Sequence, residues 1–381
     1  MLVFSSQYYF FLFYFPDHIF SSYFCRRYYC KMDNVFTNIR LTNHLLAKSK
    51  FSLPHQAVAW MGAMQAQDFN MAKWAVGVRI PGCTEKMTAD AFNKGEILRT
   101  HVLRPTWHFV APEDIRWMLQ LTAPRIVSSM KSRDAELGVT GEFISKGFQV
   151  IEEALRDNNH LTRDELVEKL QIDGIAVSSS QMYHLMFHAE LSGLVCSGAM
   201  QGKEQTYALL EERVPETKTL IRHEALAKLA KIYFTGHAPA TLQDFVWWSG
   251  LSVADARHGL EAVKTNFVSE KYDERIYWMP SDTENISAEN EKIYLLPAFD
   301  EYIVAYRNRS AVLPDENHQR AVSSNGVFRP VIIGNGRVIG LWKKAVSKNK
   351  TIITDFFEPV EQTTQELTNE AEIRFKQFLN Q

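Results

Sequence analysis

The chain has 381 residues, long enough for two or three domains with substantial cores. A hydrophobic content of 46% with 23% charged residues reads as a soluble globular protein, and a net charge of −2 excludes a globally basic nucleic-acid binder. Any nucleic-acid contact must then come from a local basic patch. The four cysteines, Cys25, Cys30, Cys83 and Cys196, contain no C-x-x-C pair and no disulfide framework, which fits a reducing cytoplasm.

The segment Met1 to Lys31 is crowded with Phe and Tyr and lacks periodicity. It has no basic region before an apolar core, so it fails as a signal peptide, and the run Tyr8 to Phe15 is too short to span a bilayer as a helix. We expect Met32 to be the functional start and the preceding 1–31 segment to be a non-native upstream extension. An aromatic anchor lying on a membrane surface is the competing reading.

From Arg40 onward a pattern of helices followed by a two-stranded hairpin recurs three times. The expected architecture is mainly α with small β-hairpins (α+β). Three tandem winged helix-turn-helix units fall at 32–111, 112–215 and 216–290, and a β-rich segment with a terminal helix follows at 291–381. In the first unit, helices are expected at Thr42 to Lys48, Pro54 to Met64, Met71 to Val78 and near Ala89 to Lys94. Strands are expected at Ile97 to Val102 and Trp107 to Val110.

The middle unit is the plainest. Thr162 with Glu165 forms a capping box, Ser178 to Ser180 caps a helix over Gln181 to Leu191, and Gly193 stops it. Leu194 to Cys196 should then pair with Thr206 to Leu209. In the third unit Arg222 to Phe234 is amphipathic, Thr241 caps a helix through Trp247 and Trp248, and Ser252 caps another to Leu260. Phe267–Val268 and Ile276 to Trp278 make its hairpin, and the two tryptophans read as core. Strand-like runs Ile293 to Leu296, Val327 to Ile333 and Val338 to Trp342 come after it, the last two joined through Gly334-Asn335-Gly336. A polar helix over Gln365 to Leu379 closes the chain.

A winged helix-turn-helix puts one helix into a DNA groove and its hairpin on the backbone, and tandem units can wrap a duplex. The densest basic stretch holds Arg99, Arg104, Arg116, Arg125, Lys131 and Arg133, interleaved with Thr100, His101, Thr106, Trp107 and His108. These residue types suit phosphate positioning. Arg307, Arg309 and Arg329 form a second basic group. His184 and His188 stand at metal-ligand spacing, but no third ligand is evident, so packing or groove contact is the better reading. Walker, dinucleotide and nucleophile-elbow motifs are missing, and no cofactor or metal is expected.

The stretch Met64-Gln65-Ala66-Gln67-Asp68-Phe69 carries the chemistry. In extended backbone residues i and i+2 point the same way, so Gln65 and Gln67 can offer two carboxamides to one spot while Ala66 faces the core. A carboxamide is neutral and holds both donors and an acceptor, so a pair can fix a water or read a base edge.

These pieces together resemble a known family. Arg99 to Phe109 is similar to its R-T-x-x-x-R-[GP]-T-x-H hairpin, Gly202 to Leu209 to its middle wing, and Leu296 to Tyr302 and Asn325 to Pro330 to its C-terminal blocks. The family is the AlkZ-like winged-helix DNA glycosylases, and the resemblance covers about Asn38 to Leu379. It implies a bacterial enzyme that excises alkylated bases, with Gln65 and Gln67 on its catalytic Q-x-Q positions. Pro105 departs from the commoner glycine.

On this reading the protein is a DNA repair glycosylase, a monomer that acts on double-stranded DNA in the cytoplasm without a membrane partner. It would hydrolyse the N-glycosidic bond of cationic N7- or N3-alkylated purines, interstrand crosslinks included, without strand cleavage. Gln65 and Gln67 would be catalytic, and Arg99, Thr100, His101, Arg104, Thr106, His108, Arg307, Arg309 and Arg329 would bind DNA. The alternative is a non-catalytic winged-helix DNA-binding protein or regulator whose glutamines read bases.

Overall fold

A computed structural model describes residues 35–216, 219–272, 274–281, 292–345 and 351–379. The reading of Met1 to Lys31 as an extension, and of Met32 as a start, lies outside the described residues. Helices and small antiparallel sheets alternate along the chain, an α+β architecture. Among the described residues no helix is long and apolar enough to cross a membrane.

Residues 35–43 form α1, which ends where a helix over Thr42 to Lys48 was expected to begin. Its buried Arg40 lies 3.6 Å from the centre of the Tyr306 ring and donates to the Pro239 carbonyl at 3.1 Å. The guanidinium thus ties the start of the fold to its far end.

Helix α2 (Pro54–Met61) stops three residues earlier than its apolar pattern suggests, because Gly62 takes a left-handed φ of 73°. A Cβ there would meet Ile232 Cγ2 at 2.5 Å, so the turn also needs the missing side chain. The chain leaves this turn as a strand rather than a helix, β1 (Ala63–Gln65). Helices α3 (Phe69–Gly77) and α4 (Glu85–Asn93) come next, capped by Asp68 and Thr84. Then β2 (Leu98–His101) and β3 (Trp107–Val110) complete a three-stranded sheet in the order β1-β3-β2.

Helix α5 (Pro112–Leu137) has no counterpart among the elements expected from the sequence. Proline at its first turn is preorganised for a helix, Gly138 closes it in the left-handed region, and 26 residues reach about 39 Å. After α6 (Gly141–Leu155) come β4 (Leu161–Thr162), α7 (Arg163–Ile172) and α8 (Ser179–Leu191). The Thr162–Glu165 capping box forms as expected, and Ser178 caps α8, completing a second box with Gln181. Strands β5 (Val195–Ser197) and β6 (Thr206–Leu209) join β4 in a sheet ordered β4-β6-β5.

The short α9 (Leu210–Arg213) precedes α10 (Arg222–Gly236), α11 (Leu242–Ser249) and α12 (Val253–Val263). The hairpin of β7 (Phe267–Tyr272) and β8 (Arg275–Pro280) is longer than expected. Last come β9 (Ile293–Leu296), α13 (Glu301–Val304), α14 (His318–Ala321), β10 (Val331–Gly334), β11 (Arg337–Lys344), β12 (Ile352–Phe356) and α15 (Gln362–Phe378). Their four strands order as β12-β11-β10-β9, a sheet whose outer strand β12 the sequence pattern does not reveal. The buried indole of Trp74 on α3 donates to the Leu295 carbonyl of this sheet at 2.7 Å and packs on Phe375 and Phe378 of α15. The first and last parts of the chain therefore share one core.

Candidate active site

The site is built where β1 meets the β2–β3 hairpin. The register sets Gln65 opposite His108, and His108 opposite Thr100. Side chains paired across strands share a face, so these three polar groups form a row across the sheet. All are buried, Gln65 at 7% exposure and the other two at 0%. The other face carries Met64, Phe109 and Arg99.

Gln65 is held from two sides. Its backbone N–H donates to Glu301 Oε1 at 2.8 Å, and its side-chain Oε1 accepts from Arg104 Nη2 at 3.3 Å. A guanidinium only donates, so the oxygen of this carboxamide must face Arg104. Glu301 is 1% exposed and its Oε2 accepts from the Trp248 indole at 3.0 Å. Burial alone would raise its pKa, but His237 at 3.8 Å, Arg104 and His108 together hold the carboxyl below its ordinary value. It is a buried carboxylate. Burial likewise lowers His237, and Glu301 opposes only part of that shift.

Asp300, the residue before, makes a two-pronged ion pair with the buried Arg79 at 2.8 Å and caps α13 through the Tyr302 N–H. Phe299 sits in the left-handed region at φ 59°, a costly conformation that turns the chain so that Asp300 and Glu301 both enter the core.

Ala66 is fully buried and Gln67 is exposed. Gln67 has no hydrogen-bond partner among the described residues, and Asp68 behind it caps α3 by accepting from Met71 at 3.0 Å. The two glutamines thus flank a buried alanine, one gripped and one free.

His108 donates through Nδ1 to the Thr106 carbonyl, 2.8 Å away, while its Nε2 is buried without a partner among the described residues. Burial, reinforced by the charge of Arg104, pushes its pKa down to about 3. Thr100 Oγ1, Thr106 Oγ1 and Arg104 Nε are orphaned in the same way. Buried polar atoms without partners are uncommon, and their concentration beside Gln65 marks the hairpin as more than scaffold.

Several residues expected to touch DNA prove to be enclosed. Arg99 donates from Nε to the Ala66 carbonyl at 3.0 Å, reaches Gln205, and lies 4.2 Å from the centre of the Trp107 ring. Burial lowers its pKa to about 10, which leaves it charged. Both the backbone N–H and Nδ1 of His101 reach Glu190 Oε2, at 2.8 and 2.6 Å, and Trp107 donates to the other Glu190 oxygen at 3.3 Å. These contacts lock the hairpin onto α8, and side chains so enclosed are not available to a phosphate. Thr100 and His108, buried in the polar row, are equally withdrawn.

The outer residues differ. Arg307 and Arg329 are exposed. Arg309 is half-buried, stacked between Trp247 and Phe328 at 5.3 and 4.9 Å. Arg104 spans both settings: it bonds Gln65 and also lines a cleft of about 540 Å³ with Pro105, Arg125, Trp247 and Arg307. Trp248 is core as expected, but Trp247 is 40% exposed. Neighbouring helical residues point to different faces, so both could not be buried against one core. His184 and His188 both bond the Asp134 carboxylate, at 2.6 and 2.9 Å, a packing role.

Glu301 and His237 are not singled out as site residues by sequence reasoning, and Trp248 is read there only as core. The available signal is an acidic pair, Asp300-Glu301, inside an otherwise apolar run, since buried acids need partners.

Comparison with known proteins gives a consistent result. Residues 58–376 match the family described as DNA glycosylase AlkZ-like. The Interstrand DNA cross-link repair glycosylase of Streptomyces sahachiroi is 24% identical over 316 residues, 77% of this chain and 82% of that protein. The solved structure of Streptomyces sahachiroi DNA glycosylase AlkZ superposes with a TM-score of 0.75 at 20% identity, covering 91% of this chain and 96% of that one.

Proposed function

The chain belongs to the DNA glycosylase AlkZ-like family, and from that premise we propose a monofunctional N-glycosylase of alkylated DNA in which Gln65 and Gln67 place the hydrolytic water. Its substrates are purines made cationic by alkylation at N7 or N3. Such a base departs without a general acid. The enzyme then has only to stabilise an oxocarbenium-like sugar and set water beneath C1′, which is positioning and electrostatics.

The observation that carries this reading is the gripped Gln65 beside the free, exposed Gln67, with the only histidine in the polar row held neutral. With its pKa near 3, His108 cannot donate a proton at neutral pH, which suits a leaving group that needs none. Arg104 leaves one Gln65 oxygen lone pair for water, and Gln67 supplies a second carboxamide. Lys73, six positions after Gln67, is bound to Glu85 at 2.5 Å, which withdraws the amine nearest in sequence from Schiff-base chemistry. That supports hydrolysis without strand cleavage.

The relative's name extends the substrate class to interstrand crosslinks. An exposed Gln67 fits this, since a crosslinked base cannot be flipped into a closed pocket. We read the three helical units as winged-helix modules at 32–111, 112–215 and 216–290, with the β-rich segment at 291–381 closing the site through Glu301. The protein would act as a cytoplasmic monomer on duplex DNA. Arg307, Arg329 and the outer side of Arg309 would supply the DNA contacts, while Arg104 holds Gln65 and Arg99, Thr100, His101 and His108 hold the hairpin.

Incubation with a duplex containing N7-methylguanine tests the proposal. Free base should appear, and the strand should break only after alkaline treatment. Tight binding with no base release would instead make this a non-catalytic DNA-binding protein.

A further inference from the structure

The cleft next to Gln65 has a composition that base hydrolysis alone does not require. Arg104, Arg125 and Arg307 line it with Gln243, Trp247 and Ser129, and no acidic residue is present. In a chain of net charge −2 this is a strongly polarised surface. Its volume of about 540 Å³ falls in the range of small-ligand sites.

Trp247 is fixed rather than loose. Its indole donates to the Val304 carbonyl at 2.9 Å, and Arg309 takes one side of the ring at 5.3 Å. The ring nevertheless remains 40% exposed and lines the cleft. The opposite wall is the hairpin turn. Gly250, at φ 67°, lets α11 end against Leu103 so closely that a Cβ there would lie 2.3 Å from the Leu103 carbonyl oxygen. Arg125 has no ion-pair or hydrogen-bond partner among the described residues, and Arg307 is exposed, its guanidinium donating to Gln243 Oε1 at 3.2 Å and its backbone N–H to Asp244 Oδ1 at 2.9 Å.

A rigid aromatic face between exposed guanidinium groups matches one nucleotide: the base stacks and the flanking phosphates pair with arginine. We propose that this cleft is a subsite for an unpaired nucleotide of the DNA, its base on Trp247 and its phosphates on Arg125 and Arg307. Because Arg104 lines the cleft and also bonds Gln65, one side chain joins a nucleotide held there to the reacting position. The subsite stabilises a locally opened duplex and so exposes C1′ of the neighbouring lesion to water. This rests on the glycosylase reading, but its test does not.

The test measures affinity for two unalkylated duplexes, one fully paired and one with a single unpaired nucleotide. The parent should prefer the unpaired duplex by about 5- to 100-fold, the scale of one base–aromatic stack. Trp247→Leu should abolish the preference, and Trp247→Phe should keep most of it. Arg125→Ala with Arg307→Ala should weaken the unpaired duplex more than the fully paired one and flatten the salt slope of the unpaired duplex by about two units. Melting temperatures of each variant near the parent's secure the comparison. An unchanged preference in Trp247→Leu overturns the subsite, as does equal competition by a polyglutamate peptide, which would make the cleft a protein-docking face. These outcomes are independent of base release, so loss of the subsite and loss of the glycosylase reading can be told apart.

Discussion

Replacing Glu301 by Gln preserves the side chain's shape and removes its charge. Glu301 accepts from the Gln65 N–H at 2.8 Å and from the Trp248 indole at 3.0 Å, one on each oxygen. A carboxamide presents an NH₂ on one side, so one of those donors would face another donor. The loss of a charge-assisted hydrogen bond costs about 1.5–3 kcal/mol, and a buried donor left unsatisfied adds about 1–3 kcal/mol. Arg104 loses the anion that opposes its burial, which keeps the total toward about 3–5 kcal/mol, the cost of breaking a buried pair. At about 2 °C per kcal/mol for a chain of this size, the melting temperature should fall by about 6–10 °C. Asp90→Asn, which breaks the exposed Lys86–Asp90 pair, is the control and should shift it by less than about 2 °C. Calorimetry reads both. If Glu301→Gln melted within about 1 °C of the parent, the inference that a buried carboxylate anchors Gln65 would be wrong.

Stability should also fall with acid in a defined window. The His108 pKa is lowered from 6.5 to about 3, so folding excludes a proton that the unfolded chain accepts. The stabilisation is complete above pH 6.5 and is lost as pH falls toward 3, at up to about 1.4 kcal/mol per pH unit. Urea titrations of His108→Asn should show that slope reduced by one proton, and an unchanged slope would contradict the assignment. Arg104→Met should lower base release about tenfold while changing the salt slope of DNA binding by less than about one unit, because the guanidinium engages Gln65. A full unit of flattening would put its charge on a phosphate instead. Asp300→Asn should destabilise by about 3–5 kcal/mol in urea, since it strips the buried Arg79 of its partner. A loss below about 1 kcal/mol would show that Arg79 finds another.

The features legible in the sequence are local ones. The N-caps at Thr162, Ser178 and Thr241 depend on residues three positions apart, and each forms where expected. Helix α5 is obscured because Pro124 lies in its middle and reads as a breaker. Strand β1 reads as helix because it is three residues long and continues the apolar run of α2. At the site, the i, i+2 glutamines and the hairpin are visible, but their different settings are not: the strand ends at Gln65, which is buried with Ala66, and Gln67 is exposed. The burial of Arg99 and His101 is not visible, because their partners Gln205 and Glu190 lie 106 and 89 positions away. A basic residue that is paired at such distance looks, in sequence, like one free to meet DNA.

The most direct measurement of the central claim is single-turnover release of free base from N7-methylguanine duplex by the parent, Gln65→Ala and Gln67→Ala, with DNA affinity measured alongside. Each substitution should lower the release rate by about 10- to 1,000-fold and leave affinity nearly unchanged, because water placement matters in the transition state more than in binding. Gln67→Asp should retain activity, since a carboxylate can hold the same water and accept its proton. Parent rates in both alanine variants would make the glutamines structural and contradict the mechanism.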